Sequence, residues 1–291
     1  MIKIDGKAIA RKIVEELKKR PKPEKILAAV FVGRDEASAA FLRRKEAIAK
    51  ELGVTFQLHQ LNESISQEEL EKKVAEISYN ERVGGLIVQL PLPKKFDRDG
   101  VLAKINPKKD VDALTNQSSV EAPAVGVVQE ILRHIAEFPE CSKFKSLNSL
   151  NIAVVGRGLL VGQPIVRWLE DESLRFKSLK FKVADSKTEN LEEFLADADL
   201  IITGVGKAGL IKPEWLKEGA GVIDFGFPPD LDQEQLVKCQ MSNVKCPELG
   251  FYTPTPGGTG PILVAMLFRN FYELTAMARL RKTAGLAETE Y

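Results

Sequence analysis

A few polar side chains in the first 112 residues stand where only apolar ones are expected. Lys45 falls on a helical stripe with Ala37, Phe41, Ile48 and Leu52, so a charge sits on the apolar face of its helix, while Arg43, Glu46 and Lys50 lie opposite. Either this lysine snorkels, covering apolar surface with its stem, or it is a desolvated amine drawn toward neutrality for proton transfer. Gln89 ends the apolar run of GGLIVQLPLP just before a proline-stiffened loop. That puts an uncharged amide at the carboxyl end of a strand, where parallel sheets bind ligands, unless it only satisfies loop backbone groups. Asp110 and Asp112, in PKKDVDALT, are either a turn-forming pair or a source of a carboxylate that reads a hydrogen-bonding heterocycle.

The second half carries its chemistry on glycines. VVGRGLLVG sets Gly156, Gly158 and Gly162 between an expected strand and an expected helix. Such a turn lets backbone approach a pyrophosphate at the helix N-terminus, although the G-x-G-x-x-x-G spacing is one residue longer than the commonest dinucleotide fingerprint. The plain alternative is a tight strand-to-helix turn. The following strand ends at Asp185, where a carboxylate can accept hydrogen bonds from an adenosine ribose. PTPGGTGP, residues 254–261, is rigid at its prolines and able at Gly257, Gly258 and Gly260 to lie flat against a ligand, or else is an ordinary connector. His59 and His134 have no partner at ligand spacing and read as structural, so no metal is expected. Trp168, Trp215 and the phenylalanines follow core periodicity.

These groups need a scaffold, and the hydropathy pattern supplies one. Ile26–Val32 is a continuous apolar run, as in a strand buried on both faces. A helix over about 36–52, a strand over 55–61, a helix over 67–78 and a strand over 85–89 complete a βαβαβ series with a parallel sheet. The Pro-, Asp- and Asn-rich stretch 106–123 reads as an inter-domain connection. A helix over about 125–138 follows, then strands at 151–155, 178–183, 200–203 and 221–224 with helices at 162–169 and 191–195, a doubly wound pattern. A long helix from Ile262 to about Arg281 is placed to cross back to the first domain. The expected fold is therefore α/β with two domains: an N-terminal parallel-sheet catalytic domain, 1–118 plus a terminal helix at about 262–285, and a Rossmann-type dinucleotide-binding domain, 119–261.

Composition narrows the partners. The 291 residues carry 42 basic and 41 acidic side chains, a formal charge of +1, so neither nucleic acid nor an anionic membrane is favoured over a small molecule. Cys141, Cys239 and Cys246 lack metal-ligand spacing and read as free thiols of a reducing compartment. The start lacks the apolar core of a signal peptide, and no run is long enough to span a bilayer. A soluble, cytoplasmic protein is expected.

With IDGKAIA near the start, GLIVQLPLP, KKDVD, VVGRGLLVGQP, TGVGKAGLIKPEWLKEGAGVID and PGGTGP in this order, the chain resembles the methylenetetrahydrofolate dehydrogenase/cyclohydrolase family over nearly its whole length. The resemblance implies oxidation of methylenetetrahydrofolate by a nicotinamide dinucleotide, then hydrolysis of the methenyl product to formyltetrahydrofolate. It implies that Lys45 is the catalytic lysine, that Gln89 positions it and that Asp112 holds the pterin ring. Phe41, Val88, Leu90, Pro91, Pro256, Gly257, Gly258 and Pro261 would meet the folate substrate. Gly156, Arg157, Gly158, Val161, Gly162, Asp185, Ser186, Gly204, Val205 and Gly206 would line the dinucleotide site, and a homodimer is implied.

Several positions depart from the family pattern. Its tyrosine four residues before the lysine is Phe41 here, a cysteine-threonine pair reads Ala122 and Pro123, the glycine after the second aspartate is Ala113, and the threonine after PGGTGP is Leu263. These leave room for a dehydrogenase with little cyclohydrolase activity, or for a paralogue that binds folate or nucleotide without turnover. Arg157, Ser186, Lys187 and family usage favour NADP, whereas Asp185 would repel a 2′-phosphate and makes NAD the alternative.

Overall fold

The computed structural model describes residues 1–115, 117–241 and 246–283. The chain begins with β1 (Ile2–Lys3), α1 (Gly6–Lys18), β2 (Ile26–Val32), α2 (Glu36–Leu52), β3 (Phe56–Leu61), α3 (Gln67–Tyr79), β4 (Val83–Val88) and α4 (Arg98–Leu102). It continues with α5 (Pro123–Ile135), β5 (Asn151–Val155), α6 (Gly162–Arg175), β6 (Lys180–Ala184), α7 (Leu191–Leu195) and β7 (Leu200–Thr203). The remaining elements are β8 (Gly221–Asp224), α8 (Gln233–Met241), β9 (Phe251–Tyr252) and α9 (Thr259–Thr283). Two compact units result, one of Met1–Ala10 with Ala124–Leu263, the other of Arg11–Pro123 with the chain from Val264 onward.

The unit containing Lys45 has a three-stranded parallel sheet in the order β3-β2-β4. From Leu27 to Val32 no β2 side chain is more than 3% exposed, which is why this run carries no alternation. Each large apolar side chain so buried contributes about 1.5–3 kcal/mol. At β4, Gly85 is required by packing, because a Cβ there would lie 2.7 Å from both Phe271 and Val111. Helix α2 starts on Asp35, whose carboxylate accepts from the Ser38 N–H at 2.7 Å, and stops at Gly53 in the left-handed conformation, φ 66°. Helix α3 opens with a capping box between Ser66 and Glu69. Later turns of α9 join this unit as expected: Asn270 Nδ2 donates to Val111 O at 2.9 Å and Glu121 O at 2.8 Å, and Arg269 lies 3.8 Å from Glu16.

The other unit has a six-stranded parallel sheet ordered β1-β9-β8-β7-β5-β6. From β5 the chain goes outward to β6 on one side and to β7 on the other, so the carboxyl ends of β5 and β7 form the switch point where such sheets bind ligands.

The sequence reading lacks α1, α4, α8, β1 and β9, and its other differences lie at element ends. β4 begins at Val83 and stops at Val88, α5 ends at Ile135, and α6 runs on to Arg175. One chemical expectation is overturned: Cys239 and Cys246 are joined by a disulfide, with Cα atoms 5.6 Å apart, and only Cys141 is a free thiol. The count and spacing of the cysteines point to a reducing compartment but say nothing of how closely the end of α8 approaches the chain that follows. No helix among the described residues is long and apolar enough to cross a membrane.

Candidate functional site

Helix α2 buries Ser38, Leu42, Lys45, Ala49 and Leu52. The inner face is thus turned by one residue from the expected stripe: Ala37 is exposed, while Phe41 and Ile48 are half-buried. Hydropathy favours the larger Phe41 and Ile48, whereas packing places the small Ser38 and Ala49 inside. Lys45 belongs to both stripes and is 9% exposed. It does not snorkel, because its Nζ donates to Gln89 Oε1 at 3.1 Å in a buried contact.

Gln89 follows β4 directly, and its N–H donates to Val30 O at 2.9 Å, extending the ladder by one residue. Its Nε2 donates to Leu90 O at 2.8 Å, which leaves the amide oxygen facing the amine. Burial lowers the Lys45 pKa, and the charge of Asp112 partly opposes that shift. Asp112 is pushed up, mainly by burial and further by Asp110, with Lys45 pulling it back. Burial therefore acts on both partners in the same sense, toward their neutral forms. Asp110 is fully buried, and burial raises its carboxyl as well. One of its oxygens accepts from the Thr115 N–H at 2.6 Å while Oδ1 has no hydrogen-bond partner. The turn it closes holds Ala113 at φ 51°, a left-handed conformation that the family pattern fills with glycine. Val88 is buried at the end of β4, Leu90 is half-buried, Pro91 is exposed, and the Leu90–Pro91 peptide is cis. Phe41, one helical turn before Lys45, lies under the Arg44 guanidinium at 5.3 Å.

In the other unit the glycines divide into two kinds. Gly156 has φ 97°, and a Cβ on Gly162 would come 2.1 Å from Gly156 O, so these two make the tight turn. A Cβ on Gly158 would meet nothing nearer than Gly204 O at 4.0 Å, so that face is open to a ligand. Helix α6 starts after Val161 with no side-chain cap, but its Gln163 N–H is given to Gly158 O at 3.0 Å and Pro164 has no N–H, so few first-turn donors remain for an anion. The open face at Gly158 fits a dinucleotide pyrophosphate. Gly204 accommodates the Val161 side chain, Val205 is 48% exposed, and Gly206 has φ 75°. Arg157 Nε lies 3.7 Å from Asp185 Oδ2, while Asp185 Oδ1 accepts from the Lys187 N–H at 2.9 Å; Ser186 is exposed.

The PGGTGP loop is partly structural. A Cβ on Gly6 would fall 1.7 Å from Gly258 O, so close backbone packing accounts for Gly6 and Gly258. Gly257 is held at φ 102°, Gly260 faces open space, Pro256 is exposed and Pro261 half-buried. The expectation that the phenylalanines are core fails at Phe176, 46% exposed, and at Phe227. The latter is 71% exposed, and its backbone O lies 3.4 Å from where a Gly206 Cβ would be. Its turn-rich setting, FGFPPD, was the available signal.

Residues 4–112 match the family model for the tetrahydrofolate dehydrogenase/cyclohydrolase catalytic domain, and residues 135–279 match that for its NAD(P)-binding domain. The chain is 34% identical to the bifunctional protein FolD of Campylobacter concisus, with 96% of this chain and 99% of that protein covered. It is similar to the crystal structure of the Campylobacter jejuni FolD enzyme, a methylenetetrahydrofolate dehydrogenase/cyclohydrolase, at TM-score 0.80 and 28% identity, covering 94% of this chain and 98% of that one. Another similar structure, FolD of Trypanosoma brucei complexed with NADP cofactor and inhibitor, has TM-score 0.79 and 26% identity, covering 96% and 98%.

Proposed function

The chain belongs to the tetrahydrofolate dehydrogenase/cyclohydrolase family, and from that premise we propose how its residues divide the work. It is a bifunctional enzyme of one-carbon folate metabolism, which oxidises methylenetetrahydrofolate to methenyltetrahydrofolate with NADP and hydrolyses the product to formyltetrahydrofolate. NADP, when bound, supplies the hydride acceptor. Gly156, Gly158 and Gly162, with Arg157 and Val161, hold its pyrophosphate at the N-terminus of α6, and Gly204, Val205 and Gly206 lie beside it.

Hydrolysis is assigned to Lys45. Water adding to the methenyl carbon must lose a proton, and a ring nitrogen must gain one as its C–N bond opens. A buried amine held below the usual lysine range can take that first proton and supply the second. Gln89 accepts a hydrogen bond from Nζ in either protonation state, so it aims the amine without fixing its charge. Asp112 holds the donors of the pterin ring, and Phe41, Val88, Leu90 and Pro91 border the folate. The observation that carries this reading is the buried 3.1 Å contact between Lys45 and Gln89. Replacing Lys45 by Met keeps similar aliphatic volume and should abolish hydrolysis while sparing part of the dehydrogenase activity. Wild-type hydrolysis by that variant would remove Lys45 from the mechanism.

The same reading extends to a cytoplasmic location, where the Cys239–Cys246 pair would be held reduced, and to a homodimer. In its support, β3 is the outer strand of its sheet and presents Leu58, 44% exposed, so its free edge and side chains suit pairing with a second copy. A monomeric mass in sedimentation at micromolar concentration would exclude the dimer, and membrane-fraction recovery would exclude the location.

A further inference from the structure

Asp230 has no exposed surface and lies in a loop, FGFPPD, that the chemistry above does not use. Its carboxylate accepts three hydrogen bonds from one short stretch of chain. Oδ2 accepts from Thr203 Oγ1 at 2.6 Å and from the Val205 N–H at 2.8 Å, and Oδ1 accepts from the Lys207 N–H at 2.7 Å. Its backbone O accepts from the Ile211 N–H at 2.8 Å, and the neighbouring Pro229 O accepts from the Gly209 N–H at 3.1 Å. The loop after β7 is therefore tied at both ends to the loop after β8.

The geometry has a chemical meaning. With Gly206 at φ 75° between them, the Val205 and Lys207 N–H groups converge on one point, the arrangement by which backbone forms an anion-binding nest. Here the anion is internal. Those N–H groups are spent on Asp230, so the loop has none of them to offer a phosphate, and it presents instead the exposed Val205 side chain and the bare Gly206. We infer that Asp230 is a positioning residue for the cofactor, fixing the Gly204–Gly206 loop as a rigid apolar surface that lies against the uncharged part of the dinucleotide. This rests on the assignment of Gly204–Gly206 to the cofactor site.

The test is NADP binding to the purified full-length enzyme by calorimetry, beside steady-state kinetics. Asp230→Asn leaves a single oxygen for donors that now use two, and turns an NH2 group toward at least one of them. It should weaken NADP binding at least tenfold and raise the NADP KM in parallel, with kcat at saturating NADP within about threefold and the folate KM little changed. Thr203→Val removes only the hydroxyl donor and should weaken NADP two- to fivefold, which keeps the inference testable if Asp230→Asn does not fold. A merely structural Asp230 would lower the melting temperature and leave the NADP constants alone, and that result overturns the inference. Gly206→Ala forces a side chain into a left-handed position and tests the underlying assignment. If it weakens NADP while Asp230→Asn and Thr203→Val do not, the positioning role falls alone. If all three bind NADP like the parent, the loop is not part of the cofactor site and both fall.

Discussion

Replacing Gln89 by Glu would turn a neutral acceptor 3.1 Å from the Lys45 amine into a carboxylate with nearly the same shape. At an effective dielectric of about 20, two unit charges at that separation attract by about 5 kcal/mol, the equivalent of roughly 4 pH units in the titration of the amine. The new carboxylate gives up hydration of its own, and half of that figure still moves the titration of the amine upward by about 2 pH units. Cyclohydrolase kcat, followed by the absorbance of the methenyl substrate from pH 6 to 10, should keep its alkaline plateau while its acid limb moves at least 2 pH units upward. At a pH on the parent's acid limb that amounts to a loss of about a hundredfold. Asp112→Asn removes the charge that now supports the cation, so it should move the same limb downward. Opposite displacements in the two variants are what a titrating Lys45 requires. An acid limb that stays in place in Gln89→Glu, with a uniformly lower rate, would show that the amine does not move the proton in hydrolysis.

Ala113 holds a left-handed turn at φ 51°, which costs an L-residue about 1–2 kcal/mol, so Ala113→Gly should stabilise the chain by about 0.5–1 kcal/mol after the entropy of glycine is counted; a lower melting temperature would refute the strain. Asp185→Ser frees Arg157 from its 3.7 Å contact and removes a like charge from the 2′-phosphate, so kcat/KM with NADP should rise about tenfold while that with NAD stays or falls. A flat NADP value would show that Asp185 points away from the ribose. Burial and the neighbouring Asp230 push the Asp224 carboxyl up to about 7, against two backbone N–H donors. Because the folded value lies above the unfolded one, the stabilisation is complete below about pH 4 and lost as pH rises through about 7, at most about 4 kcal/mol. Chemical denaturation between pH 5 and 8 should show that decline, and Asp224→Asn should flatten it; equal slopes in both proteins would refute the assignment.

The elements that the sequence shows most plainly are those whose pattern is local. β2 is legible because both of its faces are buried, and α2 because Asp35 and Gly53 mark its ends. β1 and β9 have two residues each, too few for any period, and exist only because Ile2 and Phe251 meet across the length of the chain. Likewise Asp230 looks like an ordinary turn acid in FGFPPD. Its pairing depends on donors from the end of β7 and the loop after it, which no spacing in that segment encodes. Phe227 was misread because an aromatic residue suggests core wherever it occurs, yet here the backbone around it is occupied with the loop after β7.

The candidate catalytic centre shows the same boundary between local and non-local information. A charge on an apolar helix face marks Lys45 from sequence alone, since the pattern leaves that side chain few other places to go. Its protonation state is another matter, because it is set by burial and by Asp112, 67 positions further along the chain. Burial drives Lys45 and Asp112 in the same direction, toward the neutral pair, while each charge supports the other. Such a pair titrates as a unit, so neither group can be tuned without moving its partner. An amide as the direct ligand of the amine then has a clear physical advantage over a carboxylate. It fixes the position of Nζ to a hydrogen-bond length and adds no charge to a balance that burial and Asp112 already hold. The departures from the family pattern at Phe41 and Ala113 leave this trio of lysine, amide and carboxylate in place.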